Sequence, residues 1–317
     1  MSRESGEEAL RARRAVGLAD LPDAVLLRVT GADRIDFLHR MLSCEVKGLP
    51  EGGTARGLFL TPKGKVVADF LLAVLPGRVA LVAPPGARPR LRDSLSRYVV
   101  GEDVDLEDAS GTAGLLSLVG PRAAAAAARL GPEPGKVDLL RRSRAGLPAV
   151  DILAGAGALP RLREEALAAA AAEGGGPIGG EALEALRIEN GVPALGAEAT
   201  EDTLPQECGL ADHVSFAKGC FLGQEPVARL QNRGHTNRGL VGILLEPGAP
   251  VPERGTVILA GEKESGAVTS ACLSPSLGRP VALGLLRREH DAEGTRLGLR
   301  TAAGVVSCAV ASLPFVR

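Results

Sequence analysis

From residue 239 to residue 317 the chain breaks into short apolar runs, GLVGILLE, TVILAG, GAVTSACLS, VALGLLRR and TRLGLR, separated by Gly and Pro. Five or six short strands in so small a segment fit a compact antiparallel barrel. The texture upstream is different. The expected organisation is therefore an α+β region over residues 1–238, read as two interleaved subdomains, and a β-barrel domain over residues 239–317.

Within the first region, Ala24 to Thr30 (AVLLRVT) reads as a strand. In GADRIDFLHRML, Ile35, Leu38 and Leu42 recur at helical spacing, with Asp33 as the cap. The segment TARGLFLTPKGKVVADFLLAVLPGRVALVAP reads as strand–turn–strand–turn–strand, with turns at Pro62 to Lys65 and at Pro76-Gly77. Residues 87–98 return to a basic helical pattern, and Leu115 to Val119 is a further strand. Pro121 is expected at the first position of an Ala-rich helix, and further helices are expected over Pro160 to Glu173 and Glu181 to Ile188. With six Phe, one Tyr and no Trp, the core must be built from Ala, Leu and Val. No GxGxxG fingerprint follows an expected strand, and GxxxxGK does not occur, which argues against the common nucleotide folds.

Thirty-seven Lys and Arg against 38 Asp and Glu exclude a surface basic enough for general polyanion binding. The first residues show no signal-peptide pattern, and no run approaches the roughly 20 apolar residues of a membrane span, so no membrane partner is expected. Five scattered cysteines make a poor disulfide framework, which fits a reducing, cytoplasmic setting. His39, His213, His235 and His290 are widely spaced, and no metal site is expected. A basic cluster at Arg88, Arg90, Arg92 and Arg97 reads first as a solvated helix face. RNA contact is the weaker reading, because no aromatics interleave, and direct DNA binding is not expected.

The chemistry concentrates between Lys218 and Arg238, where Lys218, Arg229, Arg233 and Arg238 face one acid, Glu225. Such a field would favour the thiolate of Cys220. A cysteine in a Gly-rich turn with solvated arginines is the competing reading, and chemistry alone leaves both open.

The run K-G-C-F-L-G-Q-E, Lys218 to Glu225, resembles the signature of the YgfZ-type folate-binding proteins, bacterial relatives of mitochondrial factors for iron–sulfur protein maturation, within the superfamily of the glycine-cleavage T-protein, an aminomethyltransferase. Four flanking blocks carry the resemblance in order: RVTGADRIDFLHRMLSCEV (28–46), TPKGKVVADF (61–70), ALRIENGVPALGAEATEDTLPQE (185–207) and GAVTSACLSPSLGRPVALGLLRR (266–288). The resemblance implies an α+β, T-protein-like three-part architecture, with ferredoxin-like layers around a central folate channel and a C-terminal antiparallel barrel. It implies tetrahydrofolate or a derivative as cofactor, with Glu189 bonding the pterin. Arg187 is read as orienting Glu189 if the segment is extended, because residues two apart then share a face. Lys218, Gln224 and Arg229 complete the expected cofactor set, and Cys220 is the reactive thiol.

The function so implied is support of iron–sulfur cluster assembly or repair in client enzymes, with iron–sulfur client or assembly proteins as partners and an indirect effect on tRNA modification. Folate-dependent one-carbon transfer is the alternative. It rests on Asp69, whose hairpin carries Ala68 where the transferase branch commonly has a second acid. A non-catalytic scaffold is the third reading, and turnover is left open. A monomer is favoured.

Overall fold

Helix α1 (Arg3–Arg14) begins where the Ser2 hydroxyl accepts the Ser5 N–H at 3.1 Å, and strand β1 (Gly17–Asp20) follows it. The computed structural model describes residues 2–88, 90–131, 136–302 and 304–316. A first sheet is built from β2 (Val25–Thr30), β3 (Thr54–Leu60), β4 (Val66–Leu75), β5 (Arg78–Ala83) and β6 (Asp105–Asp108), in the order β3-β4-β5-β2-β6. All its pairings are antiparallel. The turns fall at the expected Pro-Gly positions, where Gly64 and Gly77 take φ of 74° and 71°. Helices α2 (Arg34–Met41) and α3 (Arg90–Ser96) cover one face, packing Phe37, Leu38 and Leu91 against Phe59, Phe70 and Leu81.

A second sheet takes β1 back in, with β7 (Ala113–Val119), β8 (Val137–Arg144), β9 (Leu147–Gly155) and β10 (Gly176–Pro177), in the order β10-β1-β7-β9-β8. Helices α4 (Ala123–Ala127) and α5 (Leu159–Ala172) lie on it. Ala123, Ala126, Ala166 and Ala169 meet Leu118, Val150 and Ile152, so an aromatic-poor sequence still makes a dry layer by letting backbones approach closely. Pro121 lies outside α4, which Arg122 caps, rather than at its first position. The β8–β9 hairpin lay outside the sequence expectations. Its two turn residues, Ala145 and Gly146, have φ of 51° and 80°, the left-handed pair that a tight hairpin requires.

The faces free of helices meet through Leu26, Leu71 and Val82 of the first sheet and Leu115, Leu140 and Leu153 of the second. Helix α6 (Gly180–Glu189) packs on α1 through Ala182 and Leu186, and on the barrel through Ala185 and Ile188. After α7 (Gln224–Arg233) come β11 (Arg238–Leu245), β12 (Val257–Ala260), β13 (Lys263–Leu273), β14 (Pro280–Arg287), β15 (Arg296–Thr301) and β16 (Gly304–Ala311). They close into a barrel in the order β11-β14-β13-β12-β15-β16 around Ile243, Ile258, Val268, Leu286 and Leu299. The α+β organisation and the closed antiparallel barrel are those the sequence leads one to expect. Among the described residues no helix is long and apolar enough to cross a membrane.

Candidate functional site

A cavity of about 630 Å³ opens where the two sheets, α6 and the segment Val192 to Leu195 come together. Its wall is apolar over Leu21, Phe70, Leu115, Leu183 and Leu195, and polar at Arg56, Asp69, Arg142, Arg144, Glu184 and Arg187. A concave, mainly apolar site of this size with a few converging polar groups suits a small organic ligand.

Asp69 reaches the wall from β4. Leu58 pairs with Asp69 and Phe59 with Ala68, but Leu60 pairs with Val66, so Val67 is an extra residue in the ladder. A bulge next to Asp69 bends the strand and re-aims its side chains. Asp69 Oδ1 lies 2.9 Å from Nδ1 of His213, a side chain only 1% exposed on the short 3-10 turn Ala211–His213. The neighbouring Asp212 Oδ2 stands 4.0 Å from Arg56 Nη1, so the turn and the β3–β4 hairpin place two acids, an arginine and a histidine side by side.

The cationic wall comes from β8. Arg142 and Arg144 both reach the wholly buried Asp151 of β9, Arg144 at 2.7 Å and Arg142 at 3.3 Å, and Ser117 donates to the same carboxylate at 2.6 Å. Burial alone would push the Asp151 carboxyl up, but the two guanidinium groups and Ser117 outweigh it and hold it below the ordinary carboxylate value. Burial and the neighbouring Arg144 draw Arg142 down, against the pull of Asp151 and Asp69.

Arg187 ties the cavity to the barrel. Its guanidinium donates to Glu184 Oε2 at 2.6 Å, to Glu198 Oε2 at 3.2 Å and to Ser270 Oγ on β13 at 2.6 Å. Burial opposes its charge, but Glu184 and Glu198 prevail and hold its pKa above the ordinary value. Glu184, half-exposed at the wall, is a carboxylate that the sequence reading passed over.

Two expected cofactor groups thus stand differently from their forecast. Arg187 and Glu189 lie on helix α6, not on an extended segment, so two residues of separation turns them about 200° apart. Arg187 faces the cavity. Glu189 faces away, with no exposed surface, and takes the Arg13 guanidinium at 2.7 Å, the Ser276 N–H and hydroxyl each at 2.9 Å, and the Ser274 hydroxyl. Its acceptor sites are filled from within the protein, leaving none to bond a pterin.

The signature segment also stands apart from the cavity wall. The Lys218 ammonium donates to the carbonyls of His39 at 2.5 Å, Leu42 at 2.6 Å and Cys44 at 2.8 Å, so it caps the C-terminal end of α2. Burial lowers its pKa to about 8. Phe221 and Val227 pack behind the Asp69 hairpin, on Leu58, Leu60 and Val66. Gln224 begins α7, and Arg229 pairs with Glu225 at 2.9 Å on an exposed face. Cys220 is exposed in the loop before α7, while Cys44, Cys208, Cys272 and Cys308 are buried. Of the expected site residues, the cavity brings together Asp69 and Arg187. Lys218, Gln224, Arg229, Cys220 and Glu189 lie outside its wall. Among the described residues no three His, Cys, Asp or Glu side chains converge as metal ligands.

Residues 1–139 match the GCVT N-terminal domain, and residues 238–317 match the glycine cleavage T-protein C-terminal barrel domain. The aminomethyltransferase of Thermus thermophilus is 32% identical over 98% of this chain and 90% of its own length. That of Moorella thermoacetica is 29% identical over 98% of this chain and 89% of its own length. The crystal structure of the glycine cleavage system aminomethyltransferase T from Bartonella henselae superposes with a TM-score of 0.85 at 26% identity, covering 98% of this chain and 89% of that one.

Proposed function

Because the chain belongs to the glycine cleavage T-protein family, we propose that it binds a reduced folate in the Asp69 cavity and moves a one-carbon unit onto it from an aminomethyl or N-methyl donor. One observation carries this reading: Asp69 sits on the wall of a ligand-sized cavity, held from behind by His213, with guanidinium groups beside it. The donor set suits the ligand. Asp69 and Glu184 offer acceptors for ring N–H and amino groups, Arg56 and Arg142 meet carboxylates, and Phe70, Leu115 and Leu195 take the flat apolar body.

When bound, a reduced folate supplies the amine nitrogen that receives the carbon. With an aminomethyl donor the carbon's bonds to the amine nitrogen and to the donor carrier break as its two C–N bonds to the folate form, and each leaving group takes up a proton that a folate nitrogen releases. Asp69 provides a carboxylate at the wall that can hold the proton between these events. The apolar wall limits water at the reacting carbon.

The test is transfer by the purified protein with tetrahydrofolate and an aminomethyl donor. The Asp69→Asn variant should lose at least about a hundredfold in rate, as expected for removal of a general acid–base, while Cys220→Ser should keep most of it. Full activity of a folded D69N protein refutes the reading.

A second reading, support of iron–sulfur cluster maintenance in client enzymes, is favoured by the exposure of Cys220 within the K-G-C-F-L-G-Q-E segment. Here the cluster or its thiol chemistry is cargo. A C220S protein that fails to restore iron–sulfur enzyme activity in a deletion strain supports it, and full restoration removes it.

A further inference from the structure

We infer that His213 is the positioning residue of Asp69: its Nδ1–H donates to Asp69 Oδ1 and holds the carboxylate as an anion, leaving Oδ2 as the free acceptor at the cavity wall. This role rests on the transfer reaction proposed above.

The argument begins with the imidazole's two nitrogens. Nδ1 lies 2.9 Å from Asp69 Oδ1, whereas Nε2 is buried and, among the described residues, has no hydrogen-bond partner. A neutral imidazole carries its proton on one nitrogen alone. With the proton on Nε2, a buried N–H goes unsatisfied and two lone pairs confront each other across 2.9 Å, unless Asp69 is itself protonated. With the proton on Nδ1, one charge-assisted bond forms and only a lone pair stays unpartnered. The second arrangement is the favourable one, and it fixes Asp69 in rotation as well as in charge.

Other charges face this couple from each neighbouring element. Asp212 Oδ1, on the same turn, stands 3.8 Å from Nε2, and Arg56 of β3 approaches Asp212. Arg142 of β8 feels the charge of Asp69, and so does the buried Cys208 thiol.

The experiment uses the full-length protein without ligand, labelled with ¹⁵N, in long-range ¹H–¹⁵N correlation spectra at pH 7.5. Four histidines are present, and His213→Asn identifies the signal to follow. The expected result is the Nδ1-protonated form in wild type and a return to Nε2-protonation in Asp69→Ala. An Nε2-protonated His213 in wild type overturns the inference.

Kinetics with tetrahydrofolate and an aminomethyl donor give the second readout. His213→Phe should lose roughly ten- to a hundredfold in kcat with little change in KM, the scale of one hydrogen bond to a charged group. His213→Asn keeps an N–H donor near the Nδ1 position and should recover most of the kcat. A folded His213→Phe protein with wild-type kcat also overturns the inference. If wild type transfers no one-carbon unit, the transferase reading falls, while the spectra still decide whether His213 holds Asp69.

Discussion

Glu189 Oε2 lies 2.7 Å from Arg13 Nη2, which pins the last turn of α6 to the first helix of the chain. Ser274 and Ser276 attach the same carboxylate to the loop after β13, so one acid joins three parts of the molecule. Breaking a buried pair by removing one partner costs about 3–5 kcal/mol, because the other charge is stranded. Glu189→Ala should therefore lower the urea midpoint sharply, yet in the folded fraction leave tetrahydrofolate affinity within about twofold, a ratio worth about 0.4 kcal/mol. Titration calorimetry that shows a tenfold loss of affinity in a folded protein would return Glu189 to the ligand site.

Lys218 predicts a defect of a different kind. Lys218→Met keeps the apolar stem but leaves the His39, Leu42 and Cys44 carbonyls without their donor. Stranded buried acceptors cost about 1–3 kcal/mol each. The melting temperature should fall by several degrees, and amide exchange should quicken in α2 before it does in the barrel. Uniform acceleration across the chain would contradict the capping role.

The thiols make a pH prediction with a definite sign. Burial raises Cys44 and Cys308 to about 11 and Cys208 and Cys272 to about 12, from an ordinary value of 9.0. A group raised in the folded state gives its full stability below its unfolded pKa and loses it as pH climbs through the folded one. Lys218 has the opposite sign: lowered from 10.5 to about 8, it makes the fold gain stability between those two values. Chemical denaturation should show a slight gain from pH 8 to 9 and a steepening loss beyond it. A thiol reagent at pH 8 should modify Cys220 quickly and the other four cysteines only on unfolding. Fast reaction of several thiols in the native state would refute the assignment of burial.

Gly146 tests the cationic wall. A methyl at this position, with φ of 80°, would stand 2.3 Å from Asn190 Cβ, and Asn190 itself donates to the Ala145 carbonyl at 2.7 Å. Gly146→Ala should cost about 1–3 kcal/mol in stability and shift the β8–β9 hairpin that carries Arg142 and Arg144. Weaker binding of folates with anionic tails, measured against tail-less pterins, should accompany it.

The barrel and the β3–β5 hairpins were legible because Gly and Pro punctuate them and short apolar runs mark their strands. The β8–β9 hairpin was not. Its sequence, VDLLRRSRAGLPAVDILAG, hides the alternation, because Arg142 and Arg144 turn inward to a buried acid while Leu139 stays 44% exposed. The helix expected over Glu181 to Ile188 is present as α6, and it separates Arg187 from Glu189, which only an extended segment would have put on one face. Asp69, named from the resemblance, lies on the cavity wall. His213 was set aside because its partner lies 144 residues away, a pairing that no local spacing can announce.

Strand β1 has a bearing on how the protein reaches its native state. It is the second element made, yet its neighbours in the sheet are β7 and β10, so Gly17 waits for Val119 on one side and Gly176 on the other. The entire first sheet is written between β1 and β7, with β3–β4 and β4–β5 joined as hairpins. High contact order slows closure. The first sheet is thus the unit expected to nucleate, with the second completing around a strand held idle for some 100 residues. The cavity, walled by both, is among the last features to take shape, and slowing variants in β1 should delay the recovery of ligand binding more than the recovery of secondary structure.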